Sequence, residues 1–162
     1  MEETNMRNFA KHIIYMSNEV NGVTNLELQK IMYFSIGEYI VDNGIDEYIE
    51  ELYDENLVAW KYGASVPRIY TRYRMHGSLV IKISGEYFDF FKPMEKYVVK
   101  FLEKDVLEML EDNRKRPHWQ ENRRKIAYGR REVIYTLEDI AKDFDVSVDK
   151  WLKVCYSVDV GC

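Results

Sequence analysis

The chain has 162 residues, of which 46% are hydrophobic and 14% aromatic, with eight glycines and three prolines. This length and composition suit a single domain spanning residues 1–162 and exclude a disordered, collagen-like or linker-dominated chain. No apolar run approaches the roughly 18 residues that a membrane helix needs. The first residues also lack the basic and apolar regions of a signal peptide, so we expect a cytoplasmic protein without a membrane partner.

The charges are segregated along the chain, although the net charge is only −5. Residues 41–56 contain seven acidic side chains and no basic one, whereas residues 114–131 contain eight basic side chains. Such a dipolar molecule is expected to attract a basic protein to one face and RNA or an acidic partner to the other. The alternative is that both segments are simply solvated faces.

Two helices are predicted in the first part of the chain. Apolar residues recur every three to four positions from Met6 onward, which predicts an amphipathic helix that ends near Asn21. Thr24 and Glu27 have the spacing of a capping box, which predicts that a second helix begins there. This second helix is expected to close near Gly44.

The second helix is apolar around most of its circumference, which predicts a central position in the fold. A helical wheel places four side chains together on one narrow polar arc: Glu27, Lys30, Ser35 and Glu38. Gln29 falls instead on the apolar side of the wheel. A buried amide at that position must find hydrogen-bond partners.

The middle of the chain combines extended segments with a short helix. Residues 57–63 predict an extended run that ends in a turn. Ser65 and Pro67 then predict the cap and the first turn of a helix that continues through Tyr73. Residues 78–83 are rich in β-branched side chains and predict a strand.

A long helix and a closing pair of helices are predicted in the remainder. Pro93 opens the long helix, and Pro117 ends it, with the basic residues 114–116 compensating the negative end of the helix dipole. Residues 132–135 predict a strand, and residues 136–154 predict two short helices. The expected fold class is mainly α (α+β): one compact helical domain with a small β-sheet or hairpin.

The C-terminal helical pair, residues 136–155, has the spacing of a helix-turn-helix motif, with the small Ala141 where the helices would cross. DNA binding is the less favoured interpretation, because Asp145 occupies the turn where glycine is usual. Lys150 and Lys153 also offer little positive charge to phosphates. The favoured alternative is a helical hairpin that packs on the domain.

The sequence offers no recognisable active site. The histidines are far apart, the cysteines lie close to the C-terminal end, and neither a nucleophile motif nor a glycine-rich phosphate loop is present. The residues concerned are His12, His76, His118, Cys155 and Cys162. We therefore expect no metal, no cofactor and no enzyme activity.

Three patches of sequence occur in an informative order. Residues 24–34, TNLELQKIMYF, contain a Leu-Gln-Lys core followed by an apolar pair and tyrosine. Residues 58–70 contain Ala-Trp, Tyr-Gly and Val-Pro elements that end in tyrosine, while residues 118–121 and 135–144 contain a late tryptophan and a closing helical segment. In combination these patches resemble the Panacea-domain family of bacterial and phage antitoxins, also called SocA-like. Ala64 stands where that family usually has proline.

The resemblance spans about residues 24–146 and implies an interaction protein that neutralises a cognate toxin by direct binding. One branch of the family instead resembles a protease adaptor that delivers its toxin for degradation. The alternatives are a phage anti-defence protein and a helix-turn-helix DNA-binding regulator. The expected partner is a protein toxin or another effector protein; nucleic acid is a less favoured partner, and a homodimer remains open.

Nine residues match the family's motifs, and we expect them to form a shared surface or its immediate support: Gln29, Lys30, Tyr33, Trp60, Tyr62, Gly63, Pro67, Tyr70 and Trp119. The alternative for the aromatic members is a place in the core, because large aromatic side chains dominate cores. The polar pair Gln29 and Lys30 favours a hydrogen-bond network or a partner. Ala64 is expected to loosen the turn after Gly63.

Overall fold

The part of the chain that the structure describes, residues 3–129 and 132–145, consists of helices joined by short turns and one β-hairpin. In this computed structural model the helices are α1 (Asn5–Ser17), α2 (Asn25–Asn43), α3 (Glu47–Leu52), α4 (Pro67–Tyr73), α5 (Glu95–Val99), α6 (Val106–Lys115), α7 (Pro117–Glu121), α8 (Arg123–Tyr128) and α9 (Leu137–Asp143). The strands are β1 (Val58–Trp60) and β2 (Gly63–Ser65), and short 3-10 helices cover Asn18–Val20, Arg74–His76 and Asp89–Met94. The predicted fold class is confirmed. None of the described helices is both long and apolar enough to cross a membrane.

Helix α2 lies at the centre of the fold. The predicted capping box is present, since Thr24 and Glu27 each accept a hydrogen bond from the other's backbone N–H. The helix ends at Gly44, whose φ of 73° suits glycine. The predicted polar arc is wrong in part, because Lys30 and Ser35 are fully buried. Neighbouring elements enclose α2 on that side as well as on its apolar side.

Helix α1 covers one side of the core, as its periodicity predicts. Thr4 caps it by accepting a hydrogen bond from the N–H of Arg7 at 3.1 Å. Phe9 and Ile13 are fully buried against the core. After the short 3-10 helix, Asn21 adopts a left-handed conformation with φ of 71°, which confirms the predicted end of the helical segment.

The hairpin lies within and just after the predicted extended run. Its strands pair antiparallel, with Ala59 opposite Ala64. The strand predicted at residues 132–135 does not form as such: these residues lie along the other edge of β1, where Ile134 and Val58 make an isolated bridge. There the N–H of Ala59 donates to the carbonyl of Val133 at 2.7 Å. Strand β1 therefore has backbone partners on both of its edges.

Helix α4 begins at Pro67 and ends at Tyr73, as predicted, but its cap differs from the prediction. Val66 occupies the N-cap position and has no side-chain capping bond. Ser65 does not cap the helix, because it is the last residue of β2 and pairs with Val58.

The strand predicted at residues 78–83 is wrong. Among the described residues, the strand-like pairing of this segment is limited to an isolated bridge between Val80 and Thr24. Leu79 and Ile83 are exposed. β-Branched side chains alone do not make this segment a strand, because a stable strand needs a neighbouring strand along its length.

The single long helix predicted from Pro93 is also wrong, since the structure divides it into α5 and α6. A turn at residues 100–105 separates them and buries Phe101 and Leu102 in the core. Asp105 occupies the N-cap position of α6, where aspartate is favoured. The side chain of Asp105 makes no capping hydrogen bond there. The break therefore falls within a run of apolar residues that otherwise continues at helical spacing.

Of the two closing helices that the sequence predicts, the structure describes the first. Thr136 and Asp139 form a capping box that opens α9, and Ile140 and Ala141 bury its inner face. Residues 146–162, where the second helix of the pair is predicted, lie outside the described residues. The DNA-binding hypothesis therefore stays a prediction.

Candidate functional site

Eight of the nine motif residues gather around the hairpin. The hairpin itself carries Trp60, Tyr62 and Gly63, and it is reached from α2 by Gln29 and Lys30, from α4 by Pro67 and Tyr70, and from α7 by Trp119. The ninth, Tyr33, lies in the core. The motif thus divides into aromatic residues with exposed surface, the buried groups that hold them, and one core residue.

Gln29 joins α2 to the start of α4. Its amide is fully buried, and its Oε1 accepts a hydrogen bond from the N–H of Val66 at 2.8 Å. Its Nε2 donates to Oδ1 of Asn25 at 3.1 Å, and Asn25 donates to the carbonyl of Tyr70 at 3.0 Å. The buried amide therefore has the partners that its position requires. This chain of bonds fixes the position of α4 relative to α2.

The outer edge of β2 is completed by side chains instead of another strand. Lys30 donates from Nζ to the carbonyl of Ala64, and the N–H of Ala64 donates to Oδ1 of Asn113 at 2.7 Å. Without them, two backbone groups of a buried strand would lack partners. Burial lowers the pKa of the Lys30 amine to about 7, because desolvation disfavours the charged form.

Asn113 is a site residue that the motifs do not single out. It follows Met109 and Leu110 on the buried face of α6, and a polar side chain at that spacing is the signal that identifies it. Ala64, the departure from the family's pattern, supplies the N–H that Asn113 accepts. A proline there would have no such donor. Ala64 is bonded through both its N–H and its carbonyl, and the expected loosening of the turn stays a prediction.

Gly63 is required by both its conformation and its surroundings. Its φ of 92° lies in the left-handed region. A Cβ atom there would lie 2.4 Å from Oδ1 of Asn113 and 3.1 Å from Cε of Lys30. Only glycine allows the turn and the buried polar groups to approach this closely.

An open groove of about 510 Å³ lies beside the hairpin. We call it the Trp60 groove and define it by Leu26, Trp60, Lys61, Tyr62 and Tyr70, which all line it. The rings of Trp60 and Tyr70 meet edge to face, with centroids 5.4 Å apart. Both are half-buried, while Tyr62 is 55% exposed. The groove thus presents aromatic surface on a fixed frame.

Trp119 supports the groove from α7. Its indole N–H donates to the carbonyl of Trp60 at 2.8 Å, and the guanidinium of Arg114 lies 5.7 Å from its ring centroid. A second cavity of about 360 Å³ also borders Trp60 and is lined by Ile126 and Gly129 near the end of α8. Trp60 therefore borders two cavities, and the hydrogen bond that its backbone carbonyl accepts from Trp119 holds it in place.

Tyr33 has a different role from the other motif residues. Its hydroxyl donates to Asp143 at 2.7 Å, and the other carboxylate oxygen of Asp143 accepts the N–H of His118 at 2.8 Å. Burial raises the pKa of Asp143 and raises the pKa of Tyr33 well above its ordinary value. Arg116 lies over the Phe144 ring at 4.2 Å and donates to the carbonyl of Asp143. These contacts join α2, α7 and α9, so Tyr33 belongs to the core.

The arrangement is suited to binding. Within residues 3–129 and 132–145, no three His, Cys, Asp or Glu side chains come together where they could hold a metal ion. The lowered pKa of Lys30 would suit a reactive amine, but the side chain is fully enclosed and lines neither cavity. The groove is lined by aromatic rings, a leucine, a lysine, neutral polar side chains and a glycine.

Comparisons with protein-family models, with curated proteins and with solved structures found no match for this chain. Its function must therefore be inferred from the groove, from the frame behind it and from the motif resemblance.

Proposed function

We propose that this protein is an antitoxin-like interaction protein that binds a cognate toxin through the Trp60 groove and blocks it. The observation that carries the proposal is the meeting of the motif residues at one surface. Trp60, Tyr62 and Tyr70 line the groove, and Gln29 and Lys30 hold the backbone behind it. The sequence resemblance to Panacea-domain antitoxins supports the same function.

The physical properties of the groove suit protein recognition. Tryptophan and tyrosine are enriched among the residues that dominate the energy of protein interfaces. Their contribution is largest when they are held in place before binding, because less conformational entropy is lost. Trp60 is held through its carbonyl by Trp119 and through its ring by Tyr70. The exposed ring of Tyr62 stands at the edge, where a partner can cover it.

The test is co-expression with each neighbouring gene whose product arrests growth, followed by titration of the purified pair. We expect the wild-type chain to restore growth and bind the toxin at a defined stoichiometry. Tyr62→Ala should weaken binding by about 10-fold or more, the loss of one interface anchor. Tyr87→Ala is the matched control, because Tyr87 is a comparably exposed tyrosine that does not line the groove.

Failure to bind or neutralise any neighbouring toxin would contradict the proposal, and so would equal losses in the two tyrosine variants. The mode of action needs a separate measurement. Inhibition of the purified toxin by this chain alone supports direct blocking. A requirement for an ATP-dependent protease supports the adaptor mode, and a defence effector of a bacterial host as the partner supports the anti-defence alternative.

A further inference from the structure

The acidic segment, residues 41–56, is largely engaged within the fold. Asp54 accepts hydrogen bonds from two backbone N–H groups at the start of α1, at 2.7 and 3.0 Å. Asp46 caps α3 and accepts the hydroxyl of Tyr39 at 2.6 Å. Two further acids of the segment, Asp42 and Glu55, bind the Tyr97 hydroxyl and the Arg7 guanidinium. Much of the acidic segment is therefore structural.

Four basic residues near the hairpin are exposed on the surface, unlike the acids that are engaged within the fold. Lys61 is exposed at the hairpin turn, and Arg123, Arg124 and Lys125 are exposed on α8, whose Ile126 lines the second cavity with Lys61. In the described ranges none of these four bases pairs with an acidic side chain. The acidic Glu132 also lines the second cavity, whereas Lys61 is the one charged residue among the described residues that line the groove.

We infer that the partner meets the Trp60 groove with an acidic segment that carries at least one large apolar side chain. The inference rests on the proposed function and specifies the chemistry of the partner. The apolar side chain occupies the groove beside Trp60 and Tyr70. The carboxylates face Lys61, which lines the groove. Charge complementarity of this kind gives an interface its specificity and a faster association rate.

An acidic peptide fits this surface better than RNA does. Nucleic-acid affinity accumulates from several cation–phosphate contacts, and it weakens steeply with salt. Lys61 is the one charged residue among the described residues that line the groove, and the whole chain carries a net charge of −5. An apolar anchor with a few carboxylates uses both the rings and the lysine, whereas a phosphate backbone would use chiefly the lysine.

The test uses the full chain and a phage-displayed library of random 12-residue peptides, selected at moderate salt and counter-selected against Lys61→Glu. We expect the enriched peptides to be net negative and to contain an aromatic or large aliphatic residue. Synthetic representatives should lose about 10-fold or more in affinity with Lys61→Glu and with Tyr62→Ala, measured by fluorescence anisotropy. Lys92→Glu reverses an exposed lysine outside both cavities and should leave affinity unchanged. Circular dichroism establishes that each variant is folded.

Enrichment of neutral or basic peptides, or of no peptide that distinguishes Lys61→Glu from the wild type, would overturn the inference. A 12-nucleotide oligouridylate that binds more tightly than any peptide and is lost in Lys61→Glu would also overturn it and would assign the surface to RNA.

The outcome is separable from that of the proposed function. Toxin neutralisation that survives Lys61→Glu would leave the function standing and overturn the acidic-partner inference. Acidic peptides that bind as expected, without neutralisation of any neighbouring toxin, would support the partner chemistry and contradict the antitoxin function.

Discussion

The buried amine of Lys30 donates a hydrogen bond to the carbonyl oxygen of Ala64, so that a side chain of α2 completes the edge of β2. No acidic side chain in the described ranges pairs with this amine. The protonated form must therefore lose its hydration without gaining a counter-charge, which is why the pKa of Lys30 falls to about 7. The hairpin whose residues line the groove therefore accepts a hydrogen bond from a titratable amine.

This link makes the free energy of unfolding depend on pH. An unfolded chain keeps the lysine proton up to a pKa of 10.5, whereas the folded chain releases it above about 7. Between these values the unfolded state binds more protons, so raising the pH favours folding, by up to about 1.4 kcal/mol per pH unit. Below pH 7 both states hold the proton, and the stability gained by releasing it is absent. We expect stability to rise between about pH 7 and pH 9, below the titration of ordinary tyrosines.

Urea denaturation across that pH range measures the effect in the wild type and in Lys30→Met. The variant has no amine at this position, so its stability should rise less steeply with pH. Lys92→Met removes an exposed lysine and should keep the wild-type slope. Identical slopes in the wild type and Lys30→Met would show that Lys30 keeps its proton in the folded state.

The amide of Gln29 should be equally necessary for the frame behind the groove. Gln29→Leu fills similar volume but leaves the N–H of Val66 and the side chain of Asn25 without their partner. A buried group left unsatisfied costs about 1–3 kcal/mol, so we expect a loss of that size in the free energy of unfolding. The amide proton of Val66 should also exchange faster with solvent.

The matched control is Gln120→Leu, because Gln120 is exposed on α7. A surface substitution of this kind changes stability by about 0.5 kcal/mol or less. If both leucine variants unfold at the same urea concentration and the Val66 amide exchanges as in the wild type, the network is not a significant source of stability.

The helix boundaries were the most predictable part of the fold. Thr24 and Glu27 mark the start of α2 and Gly44 its end through interactions between near neighbours in the chain, which sequence spacing reveals directly. The same holds for Pro67 at the start of α4. The break before α6 shows the limit, because Asp105 makes no side-chain capping bond and the apolar spacing on both sides of it would also suit one continuous helix.

The frame of the site could be predicted only in part. A buried amide at Gln29 was expected to need partners, but the chain alone did not show that Val66, 37 positions away, would be one of them. Asn113 bonds to Ala64 across 49 positions, and no local pattern indicates that distance. The strand expected at residues 78–83 fails for the same reason, since its formation depends on a partner elsewhere in the fold.

His12 provides a test of the packing between α1 and the segment before α5. The ring is fully buried, and its Nδ1 accepts the N–H of Phe88 at 3.0 Å while Nε2 lies 2.9 Å from the carboxylate of Glu95. Because Nδ1 accepts a hydrogen bond, the proton must be on Nε2, which donates it to Glu95. Long-range ¹H–¹⁵N NMR spectra should therefore show the Nε2–H tautomer for His12.

His12→Phe should lower the free energy of unfolding by about 1–3 kcal/mol, because the buried N–H of Phe88 loses its acceptor. His76→Phe is the control, since Nε2 of His76 has no hydrogen-bond partner within the described part of the chain. Observation of a proton on Nδ1 of His12 would contradict the arrangement. Equal losses for the two phenylalanine variants would assign the effect to ring size instead of hydrogen bonding.

Gly37 lies beneath the ring of Phe144, at the contact between α2 and the end of α9. A Cβ atom at Gly37 would come within 2.1 to 2.4 Å of three atoms of that ring. Gly→Ala inside a helix ordinarily stabilises it by about 1 kcal/mol. Here the ring must move, and overpacking of this kind costs about 1–3 kcal/mol, so we expect Gly37→Ala to destabilise the protein.

A double-mutant cycle with Phe144→Ala separates the two effects. Phe144→Ala alone should destabilise the protein, because it removes the ring that packs against Tyr33, Phe34 and the guanidinium of Arg116. In that background the obstruction is gone, so Gly37→Ala should regain its ordinary helix-stabilising effect, and the free energies of the single changes should not add. A Gly37→Ala variant that is more stable than the wild type, or additive free energies across the cycle, would mean that Phe144 does not occupy this position in solution.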